Sequence, residues 1–291
     1  MTPTTPLRER SEAEAGRLPP LLARADQLAG TVLLGDHGRR RAGLGDDFWQ
    51  YRPAQMGDSK RMIDHRRSAR GDQQYVRERE WQIAQSVMLW VDQGASMRFA
   101  SDQRLEHKID RARLLGLAIA ILLVRGGERV GLTGTTLPPR RGNEQVFRLA
   151  QSLSVDARQD YAPPEHRAMI PHARAVFISD FMGPIQEVRM ALTKAADRGV
   201  RGVVLQVLDP SEERFPYRGR TIFESVGGTL RHETLKASEL RQRYLDKLAE
   251  RRDELTHLCR ATGWQFGLHH TDDSAQSALL WLYRALDRGT S

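Results

Sequence analysis

Cysteine is almost missing from this chain: Cys259 is the only one in 291 residues. A lone thiol forms no internal disulfide, which fits a reducing compartment. Long apolar runs are missing too. The most apolar stretch, Leu114–Val124, falls short of the roughly 20 residues a membrane-spanning helix needs and reads as a buried helix. Met1–Arg10 holds no apolar signal core. The expectation is a cytoplasmic protein with no transmembrane segment. Segregated charge is also lacking. The net charge is +8, yet Arg39-Arg40-Arg41 is answered by Asp46-Asp47, and Arg66-Arg67 lies between Asp64 and Asp72. Nucleic-acid binding wants a basic stripe with aromatics for stacking. Only Trp49 and Tyr51 qualify, and Asp46-Asp47 stand beside them, so no specific nucleic-acid recognition is expected. Enzyme signatures are absent as well: no Gly-x-Ser-x-Gly elbow, no Gly-Lys-Ser/Thr phosphate loop, and no Gly-x-Gly-x-x-Gly after a strand.

What is present is alternation. Residues 1–16 are polar and read as a loose tail. Residues 17–84 read as a short helix, about Leu21 to Ala29, and then a glycine-rich segment of short strands and turns, packed on the core. From Gln85 the pattern changes. Val87–Val91 is a continuous apolar run, the mark of a strand buried on both faces; Ala175–Ile178 reads as another, and Val203–Leu208, apolar but for Gln206, as a third. Shorter strands are expected at Arg129–Gly134 and Trp264–Leu268. Helices are expected at Lys108–Val124, Glu144–Leu153, Val188–Arg198, along the apolar face of Leu240, Tyr244, Leu248, Leu255 and Leu258, and at Ala275–Leu286. Residues 85–291 therefore read as one doubly wound α/β domain with a mostly parallel sheet. A β-hairpin insertion at about 211–233 is expected around Gly227-Gly228.

Open α/β sheets bind ligands at the carboxyl ends of their strands. Three of the expected strands end there in an acid: Asp92, Asp180 and Asp209. Asp92 and Ser96 offer two oxygens to a hard cation, and Asp180 a third; Mg²⁺ suits such a partly hydrated oxygen site. Alternatively, Asp92 and Ser96 only cap the next turn. His269-His270 follow a strand with no second cluster at metal spacing and read as surface histidines. Cys259 lies among Leu255 and Leu258 and reads as a core thiol.

At Asp92-Gln93-Gly94-Ala95-Ser96 the chain resembles the Asp-x-Ser-x-Ser start of the metal-ion-dependent adhesion site in von Willebrand factor A domains. Upstream, the ordered set Gly57, Asp58, Arg61, Ile63, Asp64, Arg66, Ser68, Ala69 and Arg70 resembles the signature of the bacterial domain-of-unknown-function 58 family, as does Tyr75–Glu80. Asp58, Arg61 and Asp64 read as a set that pins a turn-rich segment; Arg66, Arg67 and Arg70 also suit a carboxylate-rich partner. The resemblance implies a von Willebrand factor A-like fold with an N-terminal β-rich segment and an inserted hairpin. It also implies a usual companion, a MoxR-type AAA+ ATPase, in chaperone-like assembly or maturation of a protein complex.

Two departures bear on the site. Gly94 stands where the adhesion motif has a serine ligand, and Pro138–Asn143 stands where a threonine ligand belongs. The metal set is thereby reduced to Asp92, Ser96 and Asp180, a weak Mg²⁺ site at most. A partner is expected to dock on an exposed Asp92–Met97 loop through Met97, Arg98, Arg140 and Arg141. The leading expectation is a non-enzymatic adaptor that binds other proteins. A metal-dependent hydrolase using the edge acids and a non-specific nucleic-acid binder are the alternatives.

Overall fold

The structure, a computed structural model, describes residues 20–35, 48–54, 63, 65–68, 75–79, 85–155, 157, 159–224 and 231–287. The chain forms two compact units, residues 36–84 and residues 1–35 with 85–291. The helix α1 (Pro20–Gly35) therefore belongs to the larger unit. In the smaller unit β1 (Phe48–Pro53) pairs antiparallel with β2 (Tyr75–Arg79), and a single helical turn, α2 (His65–Ser68), precedes β2. Of the family-signature residues, Ile63 makes a β-bridge, Arg66 is exposed on α2, and the Ser68 hydroxyl accepts the Tyr75 N–H at 2.9 Å. Gly57, Asp58, Arg61, Asp64, Ala69 and Arg70 lie outside the described residues, as does the Gly227-Gly228 turn.

The larger unit is a doubly wound α/β domain. Its five strands are β3 (Ser86–Val91), β4 (Arg129–Leu132), β5 (Arg174–Ser179), β6 (Arg201–Leu208) and β9 (Gln265–His270). They lie in the order β4-β3-β5-β6-β9, and every pairing is parallel. The hairpin strands β7 (Thr221–Glu224) and β8 (Arg231–Thr234) form a separate antiparallel pair between β6 and β9 in sequence.

The apolar runs explain the layering. Side chains alternate along a strand, so a run with no polar positions buries both faces. Val87, Leu89 and Val91 join Val176, Ile178, Val203 and Leu205 on one face, under α1, α3 (Lys108–Arg125), α4 (Asn143–Leu153) and α8 (Ala275–Asp287). Met88, Trp90, Phe177 and Val204 face the other way, under α5 (Ile185–Asp197) and α7 (Ala237–Thr262). On that side the Phe177 ring packs against Trp90 at 5.5 Å and Trp264 at 5.0 Å between centroids. Each such fully buried side chain contributes roughly 1.5–3 kcal/mol. The second half of α3, apolar on all sides, lies between the sheet and the outer helices α1 and α8, which accounts for the burial of every residue from Leu114 to Leu123. No helix among the described residues is long and apolar enough to cross a membrane.

Gly202, near the start of β6, pairs with Ala175 of β5. A Cβ there would stand 2.0 Å from the Ala175 carbonyl oxygen, so the two backbones approach only because residue 202 has no side chain. Gly30 in α1 has open space around the same position. Gly202→Ala is expected to lower the unfolding free energy in urea by about 2–4 kcal/mol. Gly30→Ala is expected to raise it by about 0.5–1 kcal/mol, the helix-propensity gain. Equal effects at the two sites would contradict the close approach.

Candidate functional site at the carboxyl edge

Strand order reverses direction between β3 and β5, which makes the carboxyl ends of these two strands the switch point of the sheet. The register Val91↔Ile178 sets Asp92 beside Ser179, with Asp180 next along β5. Asp209 follows β6 on the same edge. The three aspartates thus meet at one edge, as their strand-end positions require.

The centre of that edge is a residue with no motif around it. Lys108 opens α3, and its ammonium is buried. It donates to Asp180 Oδ2 at 2.8 Å and to Glu212 Oε1 at 2.7 Å. Burial alone would lower the pKa of this ammonium; the two carboxylates outweigh it and raise the value. Burial also raises the Glu212 carboxyl, with Lys108 partly offsetting the effect. Glu212 is placed by a capping box on α6 (Pro210–Arg214): Asp209 Oδ1 accepts the Ser211 N–H, and Glu212 Oε2 accepts the Asp209 N–H at 2.8 Å. Asp209 Oδ2 takes the Ser101 N–H, and Asp180 Oδ1 takes the Met182 N–H. Gln206 donates to the Asp180 carbonyl at 2.8 Å.

Asp92 is equally occupied. Its Oδ1 accepts the Gly94 N–H at 2.7 Å, and its Oδ2 accepts the Ser179 hydroxyl at 2.6 Å. Burial pushes its pKa from 3.8 up to about 7, and the nearby Asp180 charge adds to this; the bonds from Ser179 and Gly94, and the Lys108 charge, pull the other way. A cavity of about 260 Å³ adjoins Asp92 and Ser179, walled by Trp90, Tyr161, Phe181 and Pro184.

The turn after Asp92 folds inward. Ala95 and Ser96 donate their N–H groups to the carbonyls of Gln159 and Asp160, both at 2.9 Å. A Cβ at Gly94 would meet the Asp160 carbonyl oxygen at 2.8 Å, Asp92 Oδ1 at 2.9 Å and the Ala162 nitrogen at 3.0 Å. A serine ligand therefore has no room at this position; backbone fills it. The Ser96 hydroxyl is enclosed with no hydrogen-bond partner among the described residues. With Asp180 held by an ammonium and both Asp92 oxygens engaged, the donors Asp92, Ser96 and Asp180 do not fit a hydrated divalent ion. Mg²⁺ wants open, regularly spaced oxygens.

Three expectations about the docking residues need correction. The Asp92–Met97 turn is not an exposed loop. Met97 has 0% of its surface accessible, and its sulfur accepts the Asp180 N–H at 3.2 Å, so it offers nothing to a partner. Arg98 is exposed, with its guanidinium on the Ala157 carbonyl. Arg140 and Arg141 are exposed but lie elsewhere: Arg140 bridges Val130, whose partner Val87 stands five positions before Asp92, about 16 Å away along the strand. The histidine pair is not a surface pair either. His269 is buried with Nε2 2.8 Å from the Arg111 guanidinium, and burial first and that charge second lower its pKa to about 4. Cys259 is a core thiol, pushed up to about 12 by burial.

Because the folded pKa of Asp92 lies above its unfolded value, the neutral acid is the form the fold tolerates. Its contribution is fully present below pH 3.8 and is lost as pH rises through 7. At about 1.4 kcal/mol per tenfold change in proton affinity, the penalty reaches on the order of 4 kcal/mol. Asp92→Asn has no proton to lose. Its stability relative to the parent is expected to grow by on the order of 3 kcal/mol between pH 5 and pH 8 in urea unfolding. A pH-independent difference would contradict this account of Asp92.

Comparison with known proteins agrees with the ordered pattern upstream of β3. The chain is 28% identical over 247 residues to the uncharacterized protein Rv1480 of Mycobacterium tuberculosis, covering 80% of this chain and 77% of that one. It matches the uncharacterized protein Mb1516 of Mycobacterium bovis to the same extent. Among solved structures, the conserved hypothetical protein BatB of Bacteroides thetaiotaomicron overlaps 70% of this chain and 100% of its own, at 16% identity and a TM-score of 0.42. An aerotolerance-related membrane protein of Bacteroides fragilis does so at 15% identity and the same TM-score. The family described as "Protein of unknown function DUF58" matches residues 50–254, most of the chain, and this protein belongs to that family.

Proposed function

We propose that this chain is a non-enzymatic protein-interaction adaptor, working in the cytoplasm with a MoxR-type AAA+ ATPase in the assembly or maturation of a protein complex. In this reading the doubly wound sheet is von Willebrand factor A-like, and its carboxyl edge is where a partner docks, without a metal. One observation carries the proposal. The acids of the edge are spent on contacts within the fold, while apolar side chains nearby are left to solvent. Asp180 and Glu212 hold Lys108, and Asp92 holds Gly94 and Ser179. Ile222 on β7 and Leu235 just after β8 are 45% and 74% exposed. The register Ile222↔Glu233 sets Ile222 near the open end of the hairpin, and Leu235 follows that end directly. Single exposed apolar residues are ordinary, but two at one end of a hairpin suit a protein contact. A hydrolase wants acids free to reach a substrate or a metal, and these carboxylates are already engaged by an ammonium and by N–H and O–H donors of the fold.

The test is recovery of a MoxR-type ATPase from the same organism on the tagged full chain, in EDTA. Recovery is expected to persist in the chelator. It is expected to fall about tenfold or more with Ile222→Asp and Leu235→Asp together, since buried apolar anchors dominate docking energies. Arg140→Glu with Arg141→Glu is expected to leave it unchanged. Failure to recover the ATPase, or loss of recovery in EDTA, would sink this reading.

A further inference from the structure

Next to the sealed acids lies a second cavity, of about 500 Å³, a size ordinary for a ligand pocket. Its apolar walls are Phe99, Phe215, Tyr217, Phe223, Leu240 and Tyr244, supplied by separate stretches of chain that include β7 and α7. The rings support one another. Phe215 lies 5.2 Å from Tyr217 and 5.1 Å from Tyr244, and Tyr217 lies 5.4 Å from Phe223. Such a rigid aromatic wall costs little ordering entropy when it is filled.

The charged lining decides what fills it. Arg243 and Lys247 stand on the same face of α7, four residues apart, and both are exposed. Lys247 pairs with Glu250 at 2.6 Å, and Arg243 has no ion pair among the described residues. Glu212 is the only acid of the lining, and both its oxygens are taken, one by Lys108 and one by the Asp209 N–H. Its negative charge is already balanced by the Lys108 ammonium, so it does not offset the two bases of the lining. The pocket is therefore apolar inside with a basic mouth. Ile222, next to Phe223 on β7, points to the opposite face of the strand and is not part of the cavity. The basic mouth calls for an acid beside the apolar group that fills the cavity, and the adaptor reading makes a protein segment the bearer of both.

We propose that this cavity receives a large apolar side chain, preferentially aromatic, from a partner-protein segment that carries a carboxylate beside it, with Arg243 and Lys247 binding the acid. The assignment rests on the adaptor reading and names the chemistry of its contact. The side chain fills the aromatic wall and supplies most of the affinity; the charge pair supplies register and specificity.

Calorimetric titration of the full chain tests it, with three acetylated, amidated peptides: Gly-Asp-Phe-Asp-Gly, Gly-Asn-Phe-Asn-Gly and Gly-Asp-Ala-Asp-Gly. The first is expected to bind, and each of the other two to bind about tenfold or more weakly. Leu240→Trp, which fills the cavity from its half-buried wall, is expected to weaken the first peptide by about tenfold or more. Arg243→Glu, at an exposed position, is expected to weaken the first peptide and leave the asparagine peptide unchanged. Equal binding of the acidic and asparagine peptides, no effect of Leu240→Trp in a variant that melts like the parent, or no binding of any peptide would overturn the proposal. ATPase recovery separates it from the reading beneath it. If the parent recovers the ATPase and both variants do so equally well, the cavity assignment falls and the adaptor stands. If the parent recovers none while the peptide preferences hold, the adaptor's named partner falls and the cavity assignment stands.

Discussion

The Lys108 ammonium sits out of reach of water, 2.8 Å from Asp180 and 2.7 Å from Glu212. Moving a charge of this kind out of water costs several kcal/mol, and the cost is met only where opposite charges and further hydrogen bonds surround it. Both carboxylates satisfy that condition. Each gives one oxygen to the lysine and the other to a backbone N–H, that of Met182 for Asp180 and that of Asp209 for Glu212. The start of α3, the end of β5 and the first turn of α6 are thereby fixed to one another. Every other feature of the carboxyl edge is arranged around this cluster, including the Asp92 turn and the floor of the aromatic cavity.

The cluster also decides what chemistry the edge offers. A parallel sheet of this order usually presents its switch point to a ligand. Here a side-chain cation from the protein itself takes up Asp180, and the backbone of residues 159–162 fills the space a serine would need at position 94. Acidic groups that look poised for a metal in the sequence are balanced inside the fold. The edge is left with apolar and basic surface, which suits recognition more than bond-making, and the adaptor proposal follows from that division.

Much of the fold was legible because burial on both faces writes itself as continuous apolar runs. Val87–Val91 and Ala175–Ile178 are such runs, Val203–Leu208 is one broken only by Gln206, and the three central strands coincide with them. The aspartates at their ends were legible for the same reason. Lys108 was not. A lysine at the start of a helix carries no signal by itself, and its partners lie 72 and 104 residues further on. Glu212 had a local trace, the Asp-Pro-Ser-Glu capping pattern, but nothing in it points to a buried cation. Gly94 showed that a hydroxyl was missing; that backbone occupies its place depends on a loop some 65 residues away, at Asp160 and Ala162. Arg140 and Arg141 looked like edge residues because sequence order alone does not show that their segment doubles back along the start of β4.

The central claim is that the Lys108 ammonium is the cation on which the carboxyl edge is built. Its most direct test is the unfolding free energy of Lys108→Met near neutral pH, since methionine keeps most of the apolar stem and removes the charge together with its N–H donors. The expected result is a loss of about 3–5 kcal/mol, the cost of leaving buried carboxylates without their counter-charge. A variant within about 1 kcal/mol of the parent, the range of an exposed ion pair, would contradict it.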